Sequence, residues 1–437
     1  MRTIRYWIRL TKAFLGKFRA IMLLGIVVGF GLFLALSVVL PKTIGRNTEY
    51  IGMTGRYHVE ELPGEILDKI GDGLTSIDES GAAAPALAEA WESTDDGKTW
   101  TFKLGEHTWQ DGTPVTAKTI FYSFEDVETN VIDEKTIQFV LADAFSPFPT
   151  IVARSTFKKG LLGTGEWKVT HIDLTGEYVQ KVILTNAAKD RLIYRFYPTE
   201  DRTKLAFKRG EVDSIIDLLE PSPFDTWGER TSITETVNES RFAAVFFNEE
   251  SELFRDNKTL RQALSYAINK ESFGFPRAIS PLHPNSWAYN SQVKDYAYNP
   301  ERAKELLGEN KEKIELTLST TPLLLPIAER VRADWEAVNV FATIQVVSYV
   351  PTDYQAYLVM YDIPKDPDQY ALWHSTQGIT NIARYKSPRV DKLLEDGRVE
   401  MDIQSRKKIY LDFQRFLLED APAAFLYHPK TYAIRRS

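Results

Sequence analysis

The chain has 437 residues, of which 43% are hydrophobic and 26% charged, and its formal net charge is −7. This length provides for two or three domains with their own cores, and 24 Phe, 20 Tyr and 9 Trp are too many aromatic side chains for a disordered chain. The absence of cysteine excludes disulfide frameworks, thiol catalysis, Cys-ligated metals and a lipid attached to an N-terminal cysteine.

The first 41 residues combine a basic segment with an apolar one. Residues 1–19 contain six Lys and Arg and no acid, and we expect them to be cytoplasmic because basic flanks stay inside. The uncharged run Ala20–Leu40 would span about 30 Å as a helix. We therefore predict a transmembrane helix over residues 20–41 that anchors an extracytoplasmic C-terminal domain in the cell membrane. A cleavable signal peptide is the alternative, but its apolar stretch is usually ~7–15 residues.

The next segments show mixed strand and helix patterns. Residues 42–56 are polar and glycine-containing and are interpreted as a short stalk. Asp95-Asp96-Gly97 predicts a turn inside a hairpin over residues 87–104. Thr116 is a candidate cap for a helix over Ala117–Val127. The remaining elements predicted in this half are strands at 136–141, 167–170, 179–184, 192–196 and 212–216, and a helix at 201–209 that ends at Gly210.

The second half favours a separate α/β lobe. A strand is predicted at 242–247 and a helix at 259–273. Asn299-Pro300 is typical of a helix start and Gly308 of its end. The segments 314–319, 324–338 and 343–349 predict a strand–helix–strand unit, and 405–418 predicts a long helix.

The sequence offers no recognisable enzyme constellation. None of the six histidines pairs with another at the i, i+4 spacing of a helical zinc site, and no G-x-S-x-G nucleophile motif occurs. Removing the +6 of residues 1–19 from the total of −7 leaves −13 on the rest of the chain. Because nucleic-acid binding needs a basic face, this charge argues against a nucleic-acid partner. We expect no enzymatic activity, no metal and no cofactor.

Several motifs, taken together, resemble a known family. Residues 85–125 read PALAEAWESTDDGKTWTFKLGEHTWQDGTPVTAKTIFYSFE. Further on come GTGEWKV at 163–169, KRGEVD at 208–213, RQALSYAINKE at 261–271, NPERAKELL at 299–307 and DPD at 366–368. In order and spacing these segments resemble the family 5 extracellular solute-binding proteins, the dipeptide-, oligopeptide- or nickel-binding components of ABC importers.

The resemblance implies a two-lobe periplasmic-binding-protein-like fold of type II, α/β in class, with a reduced extra subdomain. Lobe I would take residues 57–240, with the small subdomain inserted at about 70–155, and lobe II residues 241–404. Residues 405–437 would return to lobe I. The two lobes would be hinged by crossing strands and would close around a ligand.

The resemblance and side-chain chemistry together give candidate ligand-binding residues. We expect the carboxylates to meet a ligand cation, and the other residues to supply aromatic faces or to hold a ligand carboxylate. The candidates are Trp287, Tyr361, Asp362, Asp366, Asp368, Trp373, His374, Asn381, Arg384 and Tyr385.

Strict alignment of the family's amine-binding aspartate on Asp366-Pro367-Asp368 places Ile363 at that position, and a shift of one residue places Asp362 there. The function that the resemblance implies is capture of a small ligand, such as a short peptide, for ABC permease subunits. The alternatives are a sensory or scavenging receptor without a permease, and an envelope hydrolase.

Overall fold

The computed structural model describes residues 47–308 and 313–437, together with the isolated positions Trp7, Lys17, Phe18 and Gly29. Within these residues no helix has the length and apolar character needed to cross a bilayer. Apart from the isolated positions, the predicted basic segment 1–19 and the predicted transmembrane helix 20–41 lie outside the described residues.

The described chain alternates between strands and helices. The strands are β1 (Thr48–Thr54), β2 (Thr75–Ile77), β3 (Ala83–Pro85), β4 (Ala88–Ser93), β5 (Thr99–Leu104), β6 (Val127–Val131), β7 (Thr136–Leu141), β8 (Lys168–Thr175), β9 (Tyr178–Thr185), β10 (Arg191–Tyr197), β11 (Ser214–Leu218), β12 (Thr231–Val237), β13 (Arg241–Phe247), β14 (Ile314–Thr320), β15 (Val340–Val346), β16 (Ala356–Asp362), β17 (Ala423–Tyr427) and β18 (Lys430–Arg436). The α-helices are α1 (Gly64–Ile70), α2 (Phe148–Ile151), α3 (Glu200–Arg209), α4 (Lys258–Ala267), α5 (Pro300–Leu307), α6 (Leu325–Glu336), α7 (Tyr370–Trp373), α8 (Pro388–Val399) and α9 (Ile403–Asp420).

Lobe I is built on a seven-stranded sheet with the order β12-β18-β11-β1-β10-β9-β8. Strand β1 lies in the middle of this sheet and pairs in parallel with both β10 and β11. Its residues Ile51 and Met53 are buried in the lobe I core. The interpretation of residues 42–56 as a stalk is therefore wrong for residues 48–54, which form a central strand.

A small subdomain, residues 74–152, is inserted in lobe I. It has a four-stranded sheet of order β4-β5-β7-β6 and the short hairpin β2–β3. The predicted hairpin over 87–104 is confirmed, with Asp96 and Gly97 both at positive φ in its turn. The helix predicted over Ala117–Val127 is wrong, because only Ala117–Thr119 forms a helical turn, of the 3₁₀ type.

The chain after Thr119 leaves the helical path because its aromatic side chains are held by the subdomain core. The hydroxyl of Tyr122 donates to the carbonyl of Val152 at 2.8 Å, and the ring of Phe124 stacks on that of Tyr122. These contacts outweigh the local capping signal at Thr116, and β6 begins at Val127, paired with β7.

Lobe II is built on a five-stranded sheet of order β15-β14-β16-β13-β17. Helices α4 and α6 cover one face of the sheet, and α7, α8 and α9 cover the other. The prediction that residues 405–437 return to lobe I needs correction. Helix α9 and strand β17 belong to lobe II, where Phe413 and Leu417 are fully buried, and only β18 joins the lobe I sheet.

Candidate functional site

Two short segments connect the lobes. One runs from β12 to β13 and the other from β17 to β18, and we call residues 237–241 and 427–430 the hinge. The segments are bonded to each other: the amide of Asn238 donates to the carbonyl of Pro429 at 2.8 Å, and Nδ1 of His428 lies 2.8 Å from the carbonyl of Arg241. Two crossing segments of a few residues each allow rotation of one lobe against the other.

The tip of the β2–β3 hairpin, Asp78–Ala82, touches lobe II away from the hinge. The carboxylate of Asp78 accepts the amides of Ser80 and Ala82, which fixes the shape of the tip. The amide of Trp287 in lobe II donates to the carbonyl of Ser80 at 2.9 Å. A Cβ atom on Gly81 would lie 2.6 Å from the carbonyl oxygen of Lys365, so only glycine permits this approach.

A second contact joins the small subdomain to the C-terminal end of α8. The amide of Ser146 donates to the carbonyl of Arg398 at 2.7 Å, and the Arg398 guanidinium lies 4.9 Å from the centre of the Phe145 ring. Together with the hairpin tip, this contact brings the two lobes together on the side away from the hinge.

Between the hinge and these contacts lie two sizeable cavities that are bordered by both lobes and open to solvent. The larger cavity, about 620 Å³, is bordered by residues 64–77 and 145–155 of lobe I and by residues 364–368 of lobe II. The second cavity, about 550 Å³, is bordered by the hairpin tip, the hinge and residues 283–286 and 363–365. Pro364 and Lys365 border both cavities. Volumes of this size are typical of sites for small organic ligands.

The predicted carboxylates are already engaged by arginines. Asp366 is 8% exposed and accepts two hydrogen bonds from Arg406, at 2.6 and 3.0 Å. Asp368 lies 3.2 Å from Arg398, and burial raises its pKa while Arg398 opposes that rise. Asp362 is exposed at the end of β16 and pairs with Arg241 at 2.5 Å. Arginines of the protein therefore occupy the place of the ligand cation that the sequence predicts for these carboxylates.

Near the hinge, Arg241 lies between carboxylates of the two lobes. Burial raises the pKa of Asp217, at the end of β11, Arg241 lowers it, and Glu200 and Asp362 raise it. Asp217 occupies a left-handed backbone conformation, φ 58°. Arg241 thus pairs with Asp362 of lobe II and also acts electrostatically on Asp217 of lobe I.

Four predicted ligand contacts belong instead to the interior of lobe II. Trp373 is fully buried against Phe246 and Phe425. The Tyr385 hydroxyl donates to Asp420 at 2.7 Å. The side chains of Asn381 and His374 are also buried, and they bond to the carbonyl of Tyr385 and to the hydroxyl of Thr376. The prediction that these four line the cleft is wrong, because large aromatic and amide side chains at these positions complete the core.

The last three predicted residues lie in different surroundings. Trp287 borders a third, smaller cavity of about 210 Å³ between the lobes, and its ring meets Tyr410 edge-on. Tyr361 is half-buried on β16 against Phe242. Arg384 has a positive φ of 51° and lowers the pKa of Tyr354, which burial raises. Neither Tyr361 nor Arg384 borders the two larger cavities.

The architecture and the sequence agree on a family. Residues 82–381 match the model of the bacterial extracellular solute-binding proteins, family 5, middle region. This match covers more than half of the chain. The chain belongs to the family 5 solute-binding proteins.

Relatives of this family 5 protein have names that refer to several ligands. It is 26% identical to the heme-binding protein A of Haemophilus influenzae, over 77% of each chain. It is 24% identical to the dipeptide-binding protein of Escherichia coli, over 80% of this chain and 81% of that one. The structure of NikZ from Campylobacter jejuni in complex with Ni(L-His) matches with a TM-score of 0.73 and 21% identity, covering 89% of this chain and 94% of that one. The two-lobe fold is thus the fold of its relatives.

Of the predicted residues, Asp366 and Asp368 border the larger cavity of this family 5 protein, but the other charged residues at the two larger cavities were not predicted. They include Asp68 and Arg154 from lobe I and Lys365 from lobe II, and Gly81 at the hairpin tip was not predicted either. One signal was available for Lys365, because it lies inside the predicted segment 361–368. Asp68 and Arg154 have no such signal, since each is one charged residue among many on the surface. Within residues 47–308 and 313–437, no group of three His, Asp or Glu side chains is arranged to hold a metal.

Proposed function

We propose that this family 5 protein is an extracytoplasmic receptor that encloses a short peptide between its lobes and delivers it to the permease subunits of an ABC transporter. One observation carries the proposal: two cavities lie between a two-segment hinge and a pair of contacts that join the lobes on the other side. A ligand in these cavities touches both lobes, and it therefore favours the closed state by its contacts with each.

The size and polarity of the cavities support a peptide of a few residues as the ligand. A volume of about 620 Å³ suits a small organic molecule. Acidic and basic side chains border this cavity, and a peptide carries charges of both signs at its ends. The dipeptide-binding relative from Escherichia coli supports the same choice.

We propose further that residues 20–41 anchor the receptor in the cell membrane, with residues 1–19 in the cytoplasm. The support is the sequence alone: a basic segment followed by 21 uncharged residues, Ala20–Leu40. Tethering would keep the receptor concentrated near its transporter. Alkaline extraction of membranes tests the proposal: the full chain should stay in the membrane pellet, and a variant lacking residues 1–41 should be released. Release of the full chain would contradict an anchor.

The binding function is tested by identifying what the protein carries. The full chain, purified from its source without unfolding, should release short peptides of unchanged sequence when it is denatured, detected by mass spectrometry. Added di- to tetrapeptides should raise its melting temperature in a saturable way. Recovery of cleaved products after incubation would support a hydrolase instead. A flat response to every peptide, with no peptide released, would contradict the proposal.

A further inference from the structure

The lobe II wall of the larger cavity contains three charged residues, two of which are acids paired with arginines of the same lobe. Asp366 is bonded to Arg406, and Asp368 is paired with Arg398. Asp362 is paired with Arg241 and does not border the cavity. Each acid of this wall that borders the cavity is thus matched by the positive charge of one arginine, so the unpaired charge of this wall is that of Lys365.

Lys365 is different from its neighbours. Its side chain is exposed, it borders both of the larger cavities, and it makes no ion pair with any residue of 47–308 or 313–437. Its backbone is held in place, because its carbonyl packs against Gly81 of the opposite lobe. A lysine with a fixed backbone and a free ammonium group, at the junction of two cavities, is placed to meet an anionic group.

The lobe I wall supplies a second cation to the larger cavity. Arg154 borders it, and its side chain forms no ion pair among the described residues. The acids of this wall, Asp68 and Asp72, accept hydrogen bonds from Ser155 and Thr164 but have no cationic partner among those residues. Lobe I thus offers charges of both signs, whereas lobe II offers only the positive charge of Lys365.

We infer that Lys365 binds a carboxylate of the ligand, so that the anionic end of the ligand faces lobe II and its cationic end faces lobe I. This orientation is the reverse of the one expected from the carboxylates at 362–368. The inference rests on the proposed function. It adds to that function a residue that determines specificity and an orientation of the bound ligand between the lobes. Lys365 needs no partner for folding, because its ammonium group makes no hydrogen bond to another described residue.

Four forms of one peptide test the inference: trialanine with free ends, its N-acetyl form, its C-terminal amide, and the form blocked at both ends. Calorimetric titration of the full chain should give the tightest binding for free trialanine. Amidation should weaken binding about ten- to hundredfold, the range for one charge-assisted hydrogen bond. Lys365→Ala should weaken binding of free trialanine by the same factor and should remove the difference between the acid and the amide. Lys365→Arg should keep most of that difference.

The control is Lys408→Ala, which removes an exposed lysine of lobe II that borders neither larger cavity. It should bind all four peptides as the unaltered protein does. If peptides bind but Lys365→Ala still distinguishes acid from amide, the inference is overturned and the proposed function stands. If none of the four forms binds to the unaltered protein, peptide capture itself is contradicted, and the inference with it.

Discussion

The guanidinium of Arg406 holds the carboxylate of Asp366 with two hydrogen bonds, 2.6 and 3.0 Å long, inside lobe II. Arg406 also donates to the carbonyl of Gly397 at 2.7 Å, which ties α9 to the end of α8. Both side chains are nearly inaccessible to solvent. The pair therefore has a structural role at the wall of the cleft, and its carboxylate is not available to a ligand.

Removing one member of this pair should destabilise the fold. Asp366→Ala leaves the charge of Arg406 buried without a partner, which should lower the free energy of unfolding by about 3–5 kcal/mol. The matched control is Asp362→Ala, whose exposed pair with Arg241 should contribute about 0–1 kcal/mol. Chemical denaturation followed by tryptophan fluorescence measures both. Equal stability of the two variants would contradict the structural role of Asp366.

The approach of the hairpin tip to Lys365 predicts a specific effect at Gly81. An alanine there would place its Cβ 2.6 Å from the Lys365 carbonyl, so the lobes would have to separate. Both Gly81 and Gly112 have positive φ, 85° and 82°, but a Cβ on Gly112 meets no atom within 4 Å. Each alanine should therefore destabilise the protein by about 1–2 kcal/mol through backbone strain. Only Gly81→Ala should in addition weaken ligand binding and increase the radius of gyration measured by small-angle scattering. Matching scattering curves and affinities for the two variants would show that this contact does not hold the lobes closed.

His428 in the hinge predicts a pH dependence of stability. Burial lowers its pKa below the usual 6.5, the hydrogen bond to the carbonyl of Arg241 and the charge of Glu239 oppose this, and His283 adds to the lowering. Because the folded state binds the proton less readily than the unfolded state, stability should fall as the pH drops below about 6.5. His428→Gln can still donate to that carbonyl. Between pH 7.5 and 5 this variant should lose less stability than the unaltered protein.

The control for the hinge is His107→Gln, which changes a partly exposed histidine of the small subdomain. Melting temperatures across the pH range compare the three proteins. If the melting temperature of His428→Gln falls with pH as steeply as that of the unaltered chain and of His107→Gln, groups other than His428 cause the pH dependence of stability.

Local signals made much of the fold predictable. The turn at Asp96 and Gly97 and the helix end at Gly210 require positive φ, and glycine or aspartate marks these positions in the sequence. The helix start at Asn299-Pro300 is likewise confirmed, since the Asn299 side chain accepts the amide of Arg302. Strand β1 was missed because its partners, β10 and β11, lie far along the chain, and a short polar-flanked segment does not reveal a central position.

The site was less predictable than the fold. The sequence does not show whether Trp373 and Tyr385 complete a core or line a cleft. Only the packing around each side chain distinguishes these two roles. The partner of Asp366 lies 40 residues further along the chain, on α9, so no spacing rule reveals that the charge of Asp366 is neutralised. The sequence alone does not show that Lys365 lacks a charged partner. The structure shows it, because there the neighbouring carboxylates are paired with arginines.

We propose that the two hinged lobes close around a solute, and a measured distance between the lobes is the decisive test of this closure. The chain lacks cysteine, so Gln180→Cys on β9 of lobe I and Glu329→Cys on α6 of lobe II place two spin labels at defined exposed positions. Pulsed electron paramagnetic resonance of the full chain gives the distance distribution with and without an equimolar library of di- to tetrapeptides. We predict that peptides narrow the distribution and shift it to a single closed distance. A distribution that is identical with and without the library would contradict the claim.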